Sequence, residues 1–446
     1  MSAKQEQWGS NFGFVMAMIA SAVGLGSIWR FPYIVGTNGG SAFIILYIFL
    51  IIVVGIIGMS VEIALGRNSG VDAIDAYTKH APRSKILGYM GILTGFILMS
   101  IYSVLGAWVL HYVMQSLLFN VTNLPSNHFD HFTQSYEPSF WQLLFILMSS
   151  AIVSAGVTKG IEKYSSLINI ILLVLIIIVT IRSVTLPGAM EGIEYLLKPD
   201  FAKLTDSNVW LMAIGHAFFS LSLGAGAAIT FGCYVKKETN IIKSSAITGF
   251  TTLGMALLMG FAIFPAVFAA GAKPDSGPGL LFEVLPHVFA NIKGGSIFAI
   301  LFFVATFLAA LTSTFSMIES LIVRIMTVTK ASRVKVTWSL TAILIVISLP
   351  MSLSYNLLSD FVLFDRNLMG NVEFLIDKIL MPLNSIILLI IAGWFWKSKG
   401  VLQELSNNGS IHLPVQHLIL WSIRLVLPLF ILIILLKPLF EYITSQ

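Results

Sequence analysis

The stretch Ser21-Ala-Val-Gly-Leu-Gly-Ser-Ile-Trp-Arg-Phe-Pro-Tyr33 lies in the middle of the first hydrophobic segment and decides the fold. Gly24, Gly26 and Pro32 weaken a helix there. Arg30 also places a charge inside the segment. Non-helical backbone at membrane depth is tolerated only where it is buried in protein or lines a cavity, and an ionisable residue there marks a candidate functional site. Because many secondary transporters build their substrate and ion sites from broken helices, this stretch predicts a transporter.

The composition of the whole chain agrees with a membrane protein. Of its 446 residues, 57% are hydrophobic and 11% charged, with a mean hydropathy of +0.90, whereas soluble domains carry about 25% charged residues. The net charge of +5 predicts no nucleic-acid partner, because the basic residues follow the membrane topology. The single cysteine, Cys233, excludes an internal disulfide and a cysteine-rich metal site. The N-terminus lacks the layout of a signal peptide, so we expect the first apolar segment to be retained.

Eleven segments are apolar enough to form transmembrane helices, each of which needs roughly 20 predominantly apolar residues. We number them spans 1 to 11, and they cover residues 11–36, 41–66, 87–120, 140–157, 162–184, 208–235, 242–271, 295–329, 335–354, 371–396 and 414–442. The chain is therefore predicted to be an all-α integral membrane protein with eleven transmembrane helices. The lipid bilayer is its expected surrounding.

The distribution of basic residues orients these spans. If the N-terminus is cytoplasmic, the inner segments carry fifteen Lys and Arg residues and the outer loops five. Cytoplasmic loops are enriched in Lys and Arg. We therefore expect the N-terminus inside and the C-terminus outside.

Span 6 contains a second glycine-rich stretch, His216-Ala-Phe-Phe-Ser-Leu-Ser-Leu-Gly-Ala-Gly-Ala-Ala-Ile-Thr230. Small residues also favour close packing between membrane helices, which is the alternative interpretation. Spans 1 and 6, however, begin two five-span halves, 11–184 and 208–396. Paired glycine interruptions at corresponding positions are typical of a transporter built from inverted repeats. The sequence thus predicts a five-plus-five repeat with broken helices 1 and 6, followed by an extra span at 414–442.

Several motifs resemble the neurotransmitter:sodium symporter family. They are SAVGLGSIWRFPYIVGTNGGSAF in span 1, FFSLSLGAGAAIT in span 6, the segment 58–67 with its Glu62 and Arg67, AALTS at 309–313 and ILMPL near 380. The resemblance covers the whole chain and implies one transporter domain, 1–446. It also implies alternating access and sodium-driven uptake of amino acids or related molecules. Eleven spans resemble the bacterial branch, which implies a bacterial inner membrane and a monomer or weak homodimer.

The resemblance implies two sodium sites. The first, between spans 1 and 8, would use the carbonyls of Ala20, Val23 and Ala309 and the hydroxyls of Thr312 and Ser313. The alternative is that these two hydroxyls only bond back to their own helix. The second site would fall on Ala22, Ser27, Ser220 and Thr252. The family usually has Asn at the position of Ser27 and often at that of Thr252, so a weakened or missing second sodium remains an open alternative.

The substrate site is implied by the same breaks. Backbone N–H groups near Leu25 and Gly26, with Tyr102, would hold a carboxylate, while the carbonyls of Ala22, Phe219 and Ser220, with Ser222, would accept from an ammonium. The side-chain pocket would be lined by Leu98, Tyr102, Phe219, Ser222, Ala225, Ser313 and Met317. Monoamine-carrying members have Asp where this chain has Gly24, so a zwitterion is the better ligand. Ala225 leaves room for a large apolar or aromatic side chain, although Leu98 and Met317 compete for that space.

Gates are expected on both sides of the site. Arg30 and Phe219 would form the outer gate with an acid on span 10, which aligns to Glu373, nine residues before Pro382. Asp377, one turn along, is its competitor, and pairing of Glu373 with Lys378 is a further alternative. The family's inner pair of Arg and Asp matches Gln5 and Thr327 here. Closure must then use other contacts, for which Trp8, Tyr234 and Glu319 are the candidates.

His216 stands where relatives commonly have Gln, in the family's chloride region with Tyr47 and Ser220. It is either a neutral helix histidine or a proton-coupling group, and chloride dependence stays undecided. We therefore predict a sodium-coupled symporter for a neutral, large apolar or aromatic amino acid. The alternatives are an amino-acid sensor that binds without transport, and a symporter with one sodium and proton coupling. We find no motif of an enzyme, and Glu62 and Arg67 are interpreted as a conformational lock.

Overall fold

The structure, a computed structural model, describes residues 6–272, 279–396, 398–413 and 416–444. These residues form helices joined by turns, with one isolated β-bridge between Leu363 and Arg366. Within the described ranges, eight helices are long and apolar enough to cross a membrane, and one bent helix pair would make nine. The prediction of an all-helical membrane protein is confirmed, while the count of eleven spans stays a prediction.

The eight long helices match spans 2, 3, 5, 7, 8, 9, 10 and 11. They are Ser41–Ser69, Pro82–Leu117, Val157–Val184, Ile241–Ala269, Gly295–Thr329, Arg333–Tyr355, Leu368–Phe395 and Gln416–Ile433. Predicted span 4 is the helix Glu137–Ser154, which begins and ends three residues earlier than expected. Residues 414 and 415, the predicted start of span 11, lie outside the described residues.

Span 1 is broken at the predicted place. The helices Asn11–Ala22 and Gly26–Thr37 meet at a bend of 75°. Ser10 caps the first helix by accepting a hydrogen bond from the Gly13 N–H at 2.9 Å. That helix ends at Ala22 because Val23 takes an extended conformation, with φ −83° and ψ 90°. Gly24 and Gly26 therefore lie at a true interruption of the helix.

Span 6 is interrupted more widely. Its two helices, Ser207–Ser220 and Ala227–Gly232, are separated by six residues in which Ser222, Gly224 and Gly226 have φ of +53°, +77° and +74°. Only glycine adopts this left-handed region readily. At Gly224 a Cβ would also lie 2.4 Å from the Met381 carbonyl oxygen, so span 10 approaches too closely for any side chain.

The connectors, expected only to be polar, contain further short helices that cap the bundle. They are Ala73–His80, His128–Gln134, Ala189–Leu197, Leu280–Asn291 and Ser398–Leu405. The helix Ala189–Leu197 shows how tightly they pack, since a Cβ at Gly192 would lie 2.4 Å from the Phe264 carbonyl oxygen of span 7. Beneath these caps, spans 3 and 8 pack along each other, and the first half of span 1 contacts spans 5, 7 and 8. Both breaks are thereby buried at the centre of the bundle.

Candidate functional site

Five oxygen atoms predicted to bind sodium lie together between spans 1 and 8. The Ser313 hydroxyl lies 3.2 Å from the Ala20 carbonyl oxygen, 3.3 Å from that of Val23 and 3.1 Å from that of Ala309. The Thr312 hydroxyl lies 3.2 Å from the Ala309 oxygen. Helical spacing puts these span 8 residues on one face, and the end of the first helix at Ala22 turns the span 1 carbonyls toward them.

These residues fit a hard cation, which prefers oxygen ligands. All five are buried, and the cluster contains no carboxylate. The back-bonding alternative is also present, because Thr312 donates to the Leu308 carbonyl oxygen at 3.1 Å. For Ser313, bonding back to its own helix accounts only for the contact with the Ala309 carbonyl oxygen. The contacts with the Ala20 and Val23 carbonyl oxygens reach across to span 1.

The residues of the second expected sodium site are less well gathered. The Ser27 and Ser220 hydroxyl oxygens are 3.5 Å apart, and Ser220 also bonds to Tyr47. Thr252 donates instead to the Thr248 carbonyl oxygen of its own helix at 2.8 Å. This is the arrangement expected when the two side-chain amides usual at these positions are missing.

A cavity of about 20 Å³ lies between the two breaks, and most of the predicted substrate-binding residues line it. Its lining consists of Ser21, Ala22, Gly24, Gly26, Ser27, Leu98, Tyr102, Phe219, Ser220, Ser222, Ser313 and Met317. No charged side chain is among them. A single water needs at least about 10–15 Å³, so the cavity holds little more than one water. Side chains must move before an amino acid can enter.

The carboxylate end of the expected site is organised around Tyr102. Its hydroxyl accepts a hydrogen bond from the Leu25 N–H at 2.8 Å and also bonds to the Ser313 hydroxyl. A Cβ at Gly24 would lie 2.3 Å from the Tyr102 oxygen and 2.7 Å from the Ser313 oxygen. An acidic side chain at residue 24 therefore has no room, and Ser313 connects this corner to the oxygen cluster.

Two buried polar side chains hold the span 6 break. One Glu62 carboxylate oxygen accepts from the Gly224 N–H at 2.7 Å, and the Asn384 amide donates to the Gly224 carbonyl oxygen at 3.0 Å. The Ser222 hydroxyl also donates to the Ser21 carbonyl oxygen at 3.3 Å, joining the two breaks. Our sequence analysis missed Asn384, although an amide within an apolar span was the available signal.

Ala225 lies away from the cavity lining. Its carbonyl oxygen is 2.9 Å from the position that a Cβ at Gly95 would occupy, so it packs against span 3. The Leu25 side chain is likewise outside the lining, and this residue contributes its backbone N–H. The cavity is therefore bounded on the span 6 side by Phe219, Ser220 and Ser222.

At the end of the bundle that we predict to face outward, Arg30 pairs with Asp377 rather than with Glu373. Its Nη1 lies 2.9 Å from an Asp377 carboxylate oxygen, and its guanidinium lies over the Phe219 ring at 5.0 Å. The expectation for Glu373 rested on its alignment nine residues before Pro382, and the observed partner is the competing acid, Asp377. Asp377 lies within a π-helix, Leu375–Leu380, which turns its side chain relative to that of Glu373 in the preceding α-helix. Both acids line a cavity of about 460 Å³ beyond the pair.

At the end that we predict to face the cytoplasm, the three expected gate residues meet in one network. The Trp8 indole donates to the Phe231 carbonyl oxygen at 3.0 Å, and the Tyr234 hydroxyl donates to Glu319 at 2.5 Å. Arg333, which our sequence analysis used only for topology, donates to both Glu319 oxygens at 2.6 and 2.9 Å. Arg333 also reaches Glu6 at 2.9 Å. The positions that match the family's pair are Gln5, which lies outside the described residues, and Thr327, so a gating role for this network stays a prediction.

His216 is buried beside Tyr47, with ring centroids 5.5 Å apart, and is stacked on Phe31. Among the described residues neither of its ring nitrogens has a hydrogen-bond partner. Tyr47 and Ser220 lie next to it, as expected.

On the inner side of span 2, Arg67 donates to Glu404 at 2.6 Å and to the Thr239 carbonyl oxygen at 2.8 Å, and so ties span 2 to the loop after span 10.

The chain was compared with known proteins. The sequence profile of the sodium:neurotransmitter symporter family matches residues 5–138 and 126–446. The sodium-dependent transporter YhdH of Bacillus subtilis (strain 168) is 37% identical over 97% of this chain and 98% of its own. A sodium-dependent transporter of Haemophilus influenzae is 36% identical over 98% and 99%. The crystal structure of MhsT in complex with L-phenylalanine superposes with a TM-score of 0.88 at 37% identity, covering 97% of this chain and 99% of that one.

Proposed function

Because this chain belongs to the sodium:neurotransmitter symporter family, we propose that it is a sodium-coupled symporter that imports a neutral, large apolar or aromatic amino acid. Its relatives are sodium-dependent transporters rather than enzymes. The observation that carries the proposal is the oxygen cluster between spans 1 and 8. Its Ser313 hydroxyl contacts three carbonyl oxygens within 3.3 Å.

Coupling follows from the hydroxyl that both sites share. Ser313 belongs to the cation cluster and also bonds to Tyr102, which would hold the substrate carboxylate. A sodium ion that orders Ser313 would fix the direction of the Tyr102 hydroxyl and so prepare the carboxylate site. Substrate binding would in turn stabilise the bound ion, since such coupling is reciprocal.

The substrate class rests on two observations. The cavity lining carries no charged side chain, and burying an unpaired charge there is costly. The related MhsT was solved with L-phenylalanine. Because the cavity is about 20 Å³, a large side chain requires Phe219, Leu98 or Met317 to move. Phe219 lines both this cavity and the larger cavity of about 460 Å³ beyond the Arg30–Asp377 pair, so its ring would separate the two.

Transport would proceed by alternating access, with spans 1, 2, 6 and 7 rocking against spans 3, 4, 8 and 9. The Arg30–Asp377 pair would close the outer side, and the Glu319–Arg333 network the inner side. We further propose eleven spans, ten of them in two inverted repeats, 11–184 and 208–396, and an extra one at 414–442. We also propose an N-terminus in the cytoplasm and a bacterial inner membrane. A monomer or weak homodimer would suffice, because the site is built within one chain.

The test is uptake into proteoliposomes loaded with potassium and diluted into sodium. We expect labelled phenylalanine to accumulate only with an inward sodium gradient. Leucine, tyrosine and tryptophan should compete, and lysine and glutamate should not. Sodium-dependent binding without accumulation would refute transport and favour the sensor. Competition by lysine or glutamate would refute the substrate class alone.

A second candidate is a symporter with one sodium and proton coupling, and the region around Ser27, Ser220 and His216 favours it. The Ser27 and Ser220 hydroxyl oxygens are 3.5 Å apart, and His216 has both ring nitrogens unpartnered among the described residues. Counting sodium and phenylalanine fluxes together, with a pH dye inside the vesicles, distinguishes the two. One sodium per substrate, with a proton flux lost in His216→Gln, would support this candidate. Two sodium ions without a proton flux would refute it.

A further inference from the structure

A cleft between spans 10 and 11 lies at the surface of the bundle and is separate from the candidate transport site. It has a volume of about 260 Å³ and is lined by Trp394, His417, Leu420, Trp421, Arg424 and Leu425. Five of these six residues lie on span 11 at helical spacing, so they share one face. Span 11 is also the most lipid-exposed of the eight long helices, with 28% of its assessed window buried.

Arg424 is the unusual residue of this face. It lies eight residues into the helix that begins at Gln416, about 12 Å along the axis at 1.5 Å per residue. Its Nε donates to the Gly393 carbonyl oxygen at 2.9 Å, and its guanidinium lies 5.8 Å from the Trp394 ring centre. Within the described ranges it pairs with no carboxylate. The two Nη groups therefore keep their donors available.

A charge on a lipid-facing helix is costly unless it reaches a partner at the interface. The position of Arg424 supplies the interface, because it lies level with Trp394, near the end of span 10. The rings of Trp394 and Trp421 are 63% and 62% exposed. Exposed tryptophans concentrate at the headgroup level of a bilayer. The guanidinium thus lies at the depth of lipid phosphates.

We propose that this cleft binds the phosphate group of an anionic phospholipid, in the leaflet at which span 10 ends. A guanidinium with two free nitrogens matches a phosphate in a bidentate manner. His417, two turns closer to the helix start, lines the same cleft on one side of Arg424, and Leu425 on the other side provides apolar surface for an acyl chain. Basic pockets between membrane helices on the cytoplasmic side are known binding sites for anionic headgroups. The same leaflet is the one that the excess of Lys and Arg assigns to the cytoplasm.

The test measures lipid binding to the detergent-solubilised full chain by native mass spectrometry. We expect the wild type to bind one phosphatidylglycerol at least tenfold more tightly than phosphatidylcholine. Arg424→Gln should abolish this preference, and Arg424→Lys should keep most of it, although both lose the bond to Gly393. The matched control is Arg182→Gln, because Arg182 also lies over an aromatic ring, Phe298, and donates to a carbonyl, but at the other end of the bundle.

Two further arms keep the test decisive if Arg424→Gln folds poorly. Trp421→Ala removes an exposed ring of the cleft without touching Gly393, and should weaken phosphatidylglycerol binding several-fold with an unchanged melting temperature in phosphatidylcholine. Inorganic phosphate and glycerol phosphate, added at millimolar concentration, should leave the bound lipid in place. The proposal is overturned if Arg424→Gln keeps the lipid preference, if Arg182→Gln loses it equally, if Trp421→Ala has no effect, or if free phosphate displaces the lipid.

Discussion

Removing the two hydroxyls of the oxygen cluster should abolish sodium-dependent binding while leaving the protein folded. The change is Thr312→Ala combined with Ser313→Ala. It deletes two of five proposed ligand oxygens and keeps the three carbonyls, which belong to the backbone. The matched control is Thr306→Ala combined with Thr314→Ala in the same helix, because these buried hydroxyls only bond back to their own span.

The magnitude follows from the type of contact that is lost. A hydrogen bond or similar polar contact to a charged group contributes about 1.5–3 kcal/mol, so two such contacts contribute about 3–6 kcal/mol. At about 1.4 kcal/mol per tenfold change, sodium affinity should fall by roughly 10² to 10⁴. A water can replace part of a lost ligand, which favours the lower end. The control pair should lose only about 1–3 kcal/mol of folding stability and keep its sodium affinity.

The assay is binding of labelled phenylalanine to purified protein as sodium is titrated. The double variant should need at least about a hundredfold more sodium for half-saturation, while its melting temperature without sodium stays near that of the control pair. Wild-type sodium dependence in the double variant would refute the site. An equal loss in the control pair would show that the effect came from damage to span 8.

Three further variants test the surrounding contacts. Tyr102→Phe should weaken substrate binding by about 1.5–3 kcal/mol, and an unchanged dissociation constant would remove Tyr102 from the site. Asp377→Asn should slow uptake more than Glu373→Gln does. The difference should be only a few-fold, because Arg30 is partly exposed. A larger effect of Glu373→Gln would refute the observed pairing. Arg333→Gln leaves the buried Glu319 without its cation and should speed amide hydrogen exchange around residues 6–10. An exchange rate in the variant equal to that of the wild type would count against an inner seal.

The breaks in spans 1 and 6 could be predicted from the sequence, because glycine residues within a span indicate an interruption of the helix. Gly24 and Gly26 in span 1 and Gly224 and Gly226 in span 6 lie at the observed breaks. The residues of the first oxygen cluster were supplied by the family resemblance, because Ala20 and Val23 in span 1 are distant in sequence from the AALTS motif at 309–313. Only the breaks are signalled locally along the sequence, so only they needed no knowledge of packing between helices.

Pairings between distant segments were not predictable in the same way. Asp377 and Glu373 are one turn apart and chemically alike, so the sequence did not distinguish which one pairs with Arg30, and the π-helix at 375–380 has no clear signal in the sequence. Arg333 and Glu319 lie 14 residues apart across the turn from span 8 to span 9. The short helix Ala189–Leu197 was missed because its apolar face is shorter than a span and is buried by distant segments, chiefly span 7.

The two proposed seals differ in construction, and this difference bears on how the proposed transporter would prevent leakage. The outer seal is a single, partly exposed ion pair beside a cavity of about 460 Å³. The inner seal is a network around Glu319, which is fully buried and belongs to span 8. The proposed sodium ligands also join span 1 to span 8. The inner network joins Glu319 to Tyr234 at the end of span 6 and, through Arg333, to Glu6 ahead of span 1. Inward opening by the proposed rocking would separate spans 1 and 6 from span 8, so the inner network and the ion site would open in one step. Sodium release would then be tied to the one movement that also frees the substrate.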